Sequence, residues 1–110
     1  MKKIISSTVL LIISTALNAG SVTSTINRVG AATDQHAMLI VDTAATTKPD
    51  CAEEYTIFSF DKSTAHGRDM YSMALTAFAT QKPLAITYSD TQCGLWDLRT
   101  LITRMDLIRN

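Results

Sequence analysis

The chain contains few of the residues that mark large, highly charged or metal-binding proteins. Its 110 residues include two cysteines, two prolines, four glycines, two histidines and one tryptophan, and 18% of them are charged. Ten basic residues balance ten acidic residues, so we do not expect the basic face that nucleic-acid binding needs. The length allows one domain, and a hydrophobic content of 46% is too high for a disordered tail.

Catalytic and metal-binding signatures are equally scarce. The sequence contains no glycine-rich phosphate loop, no GxSxG nucleophile elbow and no HExxH motif. His36 and His66 are 30 positions apart, whereas a zinc site needs three or four ligands at suitable spacing. We therefore predict that the protein is not an enzyme and that it holds no metal ion and no cofactor.

The N-terminus has the pattern of a secretory signal peptide. Lys2 and Lys3 precede an uncharged, mostly apolar run over 4–17, and small or apolar residues lead to a cleavage position after Ala19. The run is short for a membrane span, which needs about 20 residues, although an uncleaved anchor is the alternative. We predict a signal peptide over 1–19, one domain over 20–110, and a secreted or periplasmic protein. Without Lys2 and Lys3 the predicted mature chain keeps eight basic and ten acidic residues, so its net charge is −2.

The only two cysteines, Cys51 and Cys93, are predicted to form a disulfide, because export exposes the chain to an oxidising compartment. Their separation fits neither a CxxC redox motif nor a metal pair, and no histidine is close to either. A disulfide also suits a small domain, which buries only a modest core.

The pattern of the remaining chain predicts a mainly β protein with one helix. The predicted elements are strands over Ser21–Val29, Ala37–Thr43, Tyr55–Phe60, Leu84–Ser89 and Thr100–Ile108, with a helix over Arg68–Lys82. The resulting order, β-β-β-α-β-β, is that of the OB-fold, a five-stranded barrel. Other α+β domains share this order, and the fold serves many functions.

The predicted helix is apolar around most of its circumference, roughly 240°, whereas a surface helix needs about 100°. Only a narrow stripe of hydroxyl side chains, formed by Ser72, Thr76 and Thr80, interrupts the apolar surface. We expect one side to cover the sheet and the other to meet a second subunit, unless the small domain simply buries most of its helix. The candidate pore or interface residues are Ser72, Met73, Thr76, Ala77 and Thr80.

Three segments resemble the B subunits of AB-type pentameric toxins, above all the pertussis-like and subtilase-cytotoxin-like B subunits. They are VTSTINRVG over 22–30, MYSMALTAFATQKPLAITYSD over 70–90 and LITRMDLI over 101–108. The resemblance implies a secreted OB-fold subunit that assembles as a homopentamer. Such a ring binds host-cell glycans, sialylated ones among them, and delivers an enzymatic A subunit.

The resemblance also implies a glycan site at the end of the strand that follows the helix. Tyr88 matches an aromatic residue that lines the sugar site, Ser89 and Asp90 follow it, and Ser21 belongs to the polar segment before the first strand. A tyrosine ring packs on a sugar face while its hydroxyl forms hydrogen bonds. Trp96 is a second candidate platform. The structural alternatives are that Tyr88 is an ordinary barrel residue and that Trp96 packs over the disulfide.

A different class of function fits the same features. The alternative is a stand-alone secreted or periplasmic OB-fold protein that binds or inhibits another protein.

Overall fold

The computed structural model describes residues 19–109, which form six strands, one α-helix and one short 3-10 helix. The elements are β1 (Ala19–Ser24), β2 (Ile26–Ala31), β3 (His36–Val41), β4 (Ile57–Asp61), α1 (Ala65–Thr80), β5 (Leu84–Cys93), the 3-10 helix (Leu95–Asp97) and β6 (Thr100–Leu107). The segment predicted to be a signal peptide lies outside the described residues except for Ala19, the first residue of β1. No helix within 19–109 is long and apolar enough to cross a membrane.

All six strands belong to one sheet, in the order β1-β5-β6-β4-β3-β2. Neighbouring strands are antiparallel except for β4 and β6, which pair in parallel. The two edge strands, β1 and β2, are consecutive in the chain and are separated only by Thr25. Hydrogen bonding between them does not close the sheet within the described residues.

The mainly β prediction with one helix is confirmed, but the predicted five strands and their order differ from the structure. The strand predicted over 21–29 is divided at Thr25, so the observed order is β-β-β-β-α-β-β. Near Thr25 the first strand forms hydrogen bonds with the loop that follows β3, and these bonds interrupt its pairing with a single neighbouring strand. The Asp42 N–H donates to the Thr25 carbonyl at 3.1 Å. The Ser24 hydroxyl accepts from the N–H groups of Asp42 and Thr43 at 3.0 and 2.8 Å.

Helix α1 begins earlier than the sequence predicts and has well-defined ends. The Thr64 hydroxyl caps it by accepting from the Gly67 N–H at 2.9 Å. At the other end Gln81 adopts a left-handed conformation with φ of 55°, and Pro83 prevents continuation. The helix was predicted over 68–82, and its first turn was missed because that turn is polar and contains a glycine.

The core lies between the sheet and one face of α1, which packs on β2 and β6. Met70, Ala74 and Ala77 supply that face at helical spacing. The sheet contributes the largest fully buried side chains of the core, which are Tyr88, Phe58, Phe60, Leu39, Leu84 and Ile86. The opposite side of α1 leaves Leu75 and Phe78 exposed by 43% and 44%.

The predicted disulfide between Cys51 and Cys93 is confirmed. It fastens the long loop over 42–56 to the end of β5. The same loop forms a backbone hydrogen bond from Glu53 N–H to the Leu98 carbonyl at 3.1 Å. Two distant chain segments, 42–56 and 93–99, are therefore held together at one end of the sheet.

Candidate functional site

Tyr88, the main glycan-site candidate, is completely buried. Its ring packs against Phe58 at 5.4 Å between centroids. On β1, Gly20 lies so close that a Cβ there would be 2.5 Å from the Tyr88 Oη. The Thr47 hydroxyl donates to the Asp90 carboxylate at 2.8 Å, so it accepts from the Tyr88 hydroxyl at 2.9 Å. The ring offers no free face to a sugar, and its expected use as a stacking platform does not fit this conformation.

The polar candidates near Tyr88 do not form a common site. Ser89 is buried, and its hydroxyl accepts from the N–H groups of Thr91 and Gln92 at 3.1 and 2.9 Å. Its oxygen is therefore already used to close a turn. Ser21 is exposed on β1, where it pairs with Thr87. Only Asp90 is joined to Tyr88, through Thr47.

The loop over 93–99 is anchored at several points. The buried Leu95 donates its N–H to the Ser59 hydroxyl at 3.0 Å, and Gly94 donates to the Arg99 carbonyl at 2.8 Å. The disulfide at Cys93 and the Glu53–Leu98 hydrogen bond hold the two ends of the loop. The Gly94–Arg99 bond lies within the loop, whereas the bonds to Ser59, Cys51 and Glu53 come from segments far away in the chain and fix the loop against the body of the domain.

Trp96 projects from this anchored loop and is 60% exposed. Its φ is 54°, and that of the next residue, Asp97, is 58°. Left-handed backbone at a non-glycine residue costs roughly 1–2 kcal/mol and is a genuine outlier for a bulky side chain. Such strain persists only where surrounding contacts impose it, and it occurs preferentially at functional sites.

The loop that carries Trp96 also carries Leu98 and Arg99, and Glu53 contacts both of these residues. We call Trp96, Leu98, Arg99 and Glu53 the Trp96 patch. Leu98 is exposed, while the Arg99 side chain is largely buried. The Arg99 guanidinium lies 3.7 Å from the Glu53 carboxylate, and its buried Nε has no partner within the described residues. The segments that form the patch thus carry an exposed indole, a guanidinium and a carboxylate. The two charged groups can hydrogen-bond to sugar hydroxyls, and the guanidinium can also bind a sugar carboxylate.

The outer surface of α1 differs from the predicted pore or interface surface. Ala77 is completely buried against its own sheet, so it does not belong to an exposed face, and Met73 is half-buried. The hydroxyl stripe is exposed, and Thr76 and Thr80 donate to the carbonyls four residues earlier, Ser72 and Thr76, at 2.9 and 2.7 Å.

The large apolar side chains that α1 exposes are Leu75 and Phe78, and neither was among the predicted pore or interface residues. The excess apolar circumference of the helix was the signal that pointed to them. The side of the helix that faces the sheet was not predictable from this pattern.

Metal-ligating side chains do not gather into a cluster in residues 19–109. No group of three or more histidine, cysteine, aspartate or glutamate side chains could hold a metal there. Hydrogen bonds from the Ser63 hydroxyl and then the Gln35 amide lower the pKa of Asp61 from 3.8 to about 2. Asp61 is the last residue of β4 and binds Ser63 in the turn that leads to α1.

No protein-family model matches the chain, and comparisons with curated proteins and with solved structures find no similar protein.

Proposed function

We propose that the chain is a secreted carbohydrate-binding subunit in which the Trp96 patch contacts the sugar. The exposed indole of Trp96, fixed in a strained backbone conformation on an anchored loop, is the observation that carries this proposal. A flat aromatic face binds the apolar face of a sugar ring. Because the loop is held before any ligand arrives, little conformational entropy is lost on binding.

We further propose that the domain is an OB-fold barrel. The strand order begins with β1 and ends with β2, which are joined through the single residue Thr25. If β1 and β2 are counted as two halves of one bent strand, five strands remain and the path around the sheet returns to its start. The parallel pair of β4 and β6, with α1 inserted between β4 and β5, supports this interpretation.

The proposed biological setting is the B subunit of an AB-type toxin, as the sequence resemblance implies. In this setting the chain forms a homopentameric ring, binds host glycans and delivers an enzymatic A subunit. The exposed Leu75 and Phe78 on α1 support contact with another subunit, because residues 70–81 contain no charged side chain. A ring would multiply weak single sites into strong attachment.

Glycan binding is tested with Trp96→Asn and Trp96→Phe variants on an array of sialylated and neutral glycans. Asparagine tolerates left-handed backbone, so Trp96→Asn removes the ring while keeping the loop conformation. We expect Trp96→Asn to lose binding and Trp96→Phe to retain part of it. Tyr55→Ala is the matched control, because it removes an exposed aromatic ring that belongs neither to the patch nor to the exposed apolar surface of α1. Equal binding by wild type and Trp96→Asn would refute the role of Trp96, and absence of binding by the wild type would refute the proposed function.

Ring assembly is tested by light scattering on the purified protein. We expect an oligomer that Leu75→Ser together with Phe78→Ser converts into monomers. A wild-type monomer at micromolar concentration would overturn the proposed ring.

The second candidate function is a stand-alone secreted or periplasmic protein that binds or inhibits another protein. The exposed Leu75 and Phe78 favour it equally, because an apolar helix face also suits a protein partner. A monomeric wild type without glycan binding would favour this candidate over the toxin subunit.

A further inference from the structure

A separate cleft lies at the C-terminal end of α1, where the helix meets the junction of β1 and β2. It has a volume of about 250 Å³ and is lined by Thr25, Ile26, Asp42 and Gln81. None of these residues belongs to the Trp96 patch. Thr25 and Asp42 are held together by the backbone hydrogen bond that divides the first strand, so the shape of the cleft follows from the fold itself.

Two independent features make this cleft attractive to a positive charge. The Asp42 carboxylate forms no ion pair with any lysine or arginine of residues 19–109. The C-terminal end of a helix carries a partial negative charge, and the last turn of α1 contains no basic residue. The adjacent Lys82 is exposed and forms no hydrogen bond or ion pair with Asp42 in the described part of the chain.

The hydrogen bonding of Asp42 decides which kind of cation fits. Its Oδ2 already accepts a hydrogen bond from the Thr25 hydroxyl, whereas its Oδ1 accepts no hydrogen bond from residues 19–109. A guanidinium prefers two parallel hydrogen bonds to both oxygens of a carboxylate, whereas an ammonium is a compact charge that needs only one. The Gln81 side-chain amide supplies a second acceptor, and the edge of Ile26, which is otherwise buried in the core, supplies an apolar contact for a methylene chain.

We propose that this cleft binds the side chain of a lysine presented by a partner protein. The ammonium group contacts Asp42 Oδ1 and the Gln81 amide oxygen, and the methylene chain lies on Ile26. This site does not depend on glycan binding. It gives the domain a second recognition surface in addition to the Trp96 patch.

The test is a titration of the purified isotope-labelled protein with Nα-acetyl-lysinamide, followed by NMR. We expect chemical-shift changes at the backbone amides of Thr25, Asp42 and Gln81. Asp42→Asn keeps an acceptor for the Thr25 hydroxyl but removes the charge, and it should weaken binding at least about tenfold. Asp50→Asn is the matched control, because it neutralises an exposed carboxylate outside the cleft, and it should leave binding unchanged.

A second variant separates loss of binding from loss of folding. Gln81→Gly removes the side-chain amide at a left-handed position that glycine favours, so the fold is retained while binding weakens about two- to tenfold. Nα-acetyl-argininamide should bind more weakly than the lysine compound, and Nα,Nε-diacetyl-lysinamide should not bind. Equal shifts with the diacetylated compound, unchanged binding by Asp42→Asn, or larger shifts at these amides with methyl glucoside would each overturn the proposal.

Discussion

Removal of the disulfide gives the sharpest prediction about stability. The bond between Cys51 and Cys93 spans 42 positions, and it closes a loop of about 43 residues. The chain-entropy model gives such a loop a stabilisation of about 4 kcal/mol at 25 °C. Cys51 is exposed and Cys93 is half-buried, so replacing both sulfurs by hydroxyls removes little packing. Most of the loss therefore arises from the greater freedom of the unfolded chain.

The perturbation is the double variant Cys51→Ser/Cys93→Ser. We expect its free energy of unfolding to fall by about 4 kcal/mol, which lowers Tm by roughly 16–32 °C for a domain of this size. Urea unfolding followed by far-UV circular dichroism measures the free energy. Trp96 is the only tryptophan of the chain, so its fluorescence reports separately on the loop over 93–99.

The reduced wild-type protein is the control for the serine side chains, and it should lose the same free energy as the double variant. A loss below about 1 kcal/mol in both would refute the reasoning. It would show that the Glu53–Leu98 hydrogen bond and residual structure in the unfolded chain already restrict the loop without the covalent bond.

Three further predictions concern single side chains. Tyr88→Phe should lower the free energy of unfolding by about 1 kcal/mol, because it removes one hydroxyl hydrogen bond but keeps the buried ring; an unchanged value in urea unfolding would contradict this. The pKa of Asp61 is lowered to about 2, chiefly by the Ser63 hydroxyl, so its stabilisation is complete above the ordinary value of 3.8 and is lost as the pH falls toward 2. Asp61→Asn should therefore show a smaller acid-induced fall in stability than wild type, and equal falls would contradict the assignment. Gly67→Ala should destabilise the protein by about 3 kcal/mol or more, because a Cβ there would overlap the Asp61 carbonyl, whereas Gly30→Ala meets open space and should fold normally. Equal melting temperatures for the two alanine variants would contradict the packing argument.

The fold was predictable where the signal is local. The alternation of apolar residues, the proline after the helix and the turn residues between strands placed the helix and most strands within a few residues of their observed bounds. The division at Thr25 was not predictable, because Asp42 and Thr43 cause it from a distant part of the chain.

The candidate site shows the same limit more clearly. The sequence alone identified two aromatic candidates, Tyr88 at the end of a predicted strand and Trp96 in a polar loop beside the predicted disulfide. It gave no reason to expect that Gly20 and Thr47 would enclose Tyr88. The exposure of Trp96 depends on the hydrogen bond between the Leu95 N–H and the Ser59 hydroxyl, and these two residues lie 36 positions apart.

The sequence by itself determined a mainly β domain with one helix and a single possible cysteine pair. The strands and the helix depend on residues that are neighbours in the chain, and the cysteine pair depends on composition. Both can be read from the sequence without the fold. Only the tertiary structure decided that Tyr88 is enclosed, that Trp96 is presented to solvent, and that α1 faces solvent with Leu75 and Phe78 rather than with Ala77. Burial depends on which distant segment covers a side chain, and a local pattern does not contain that information.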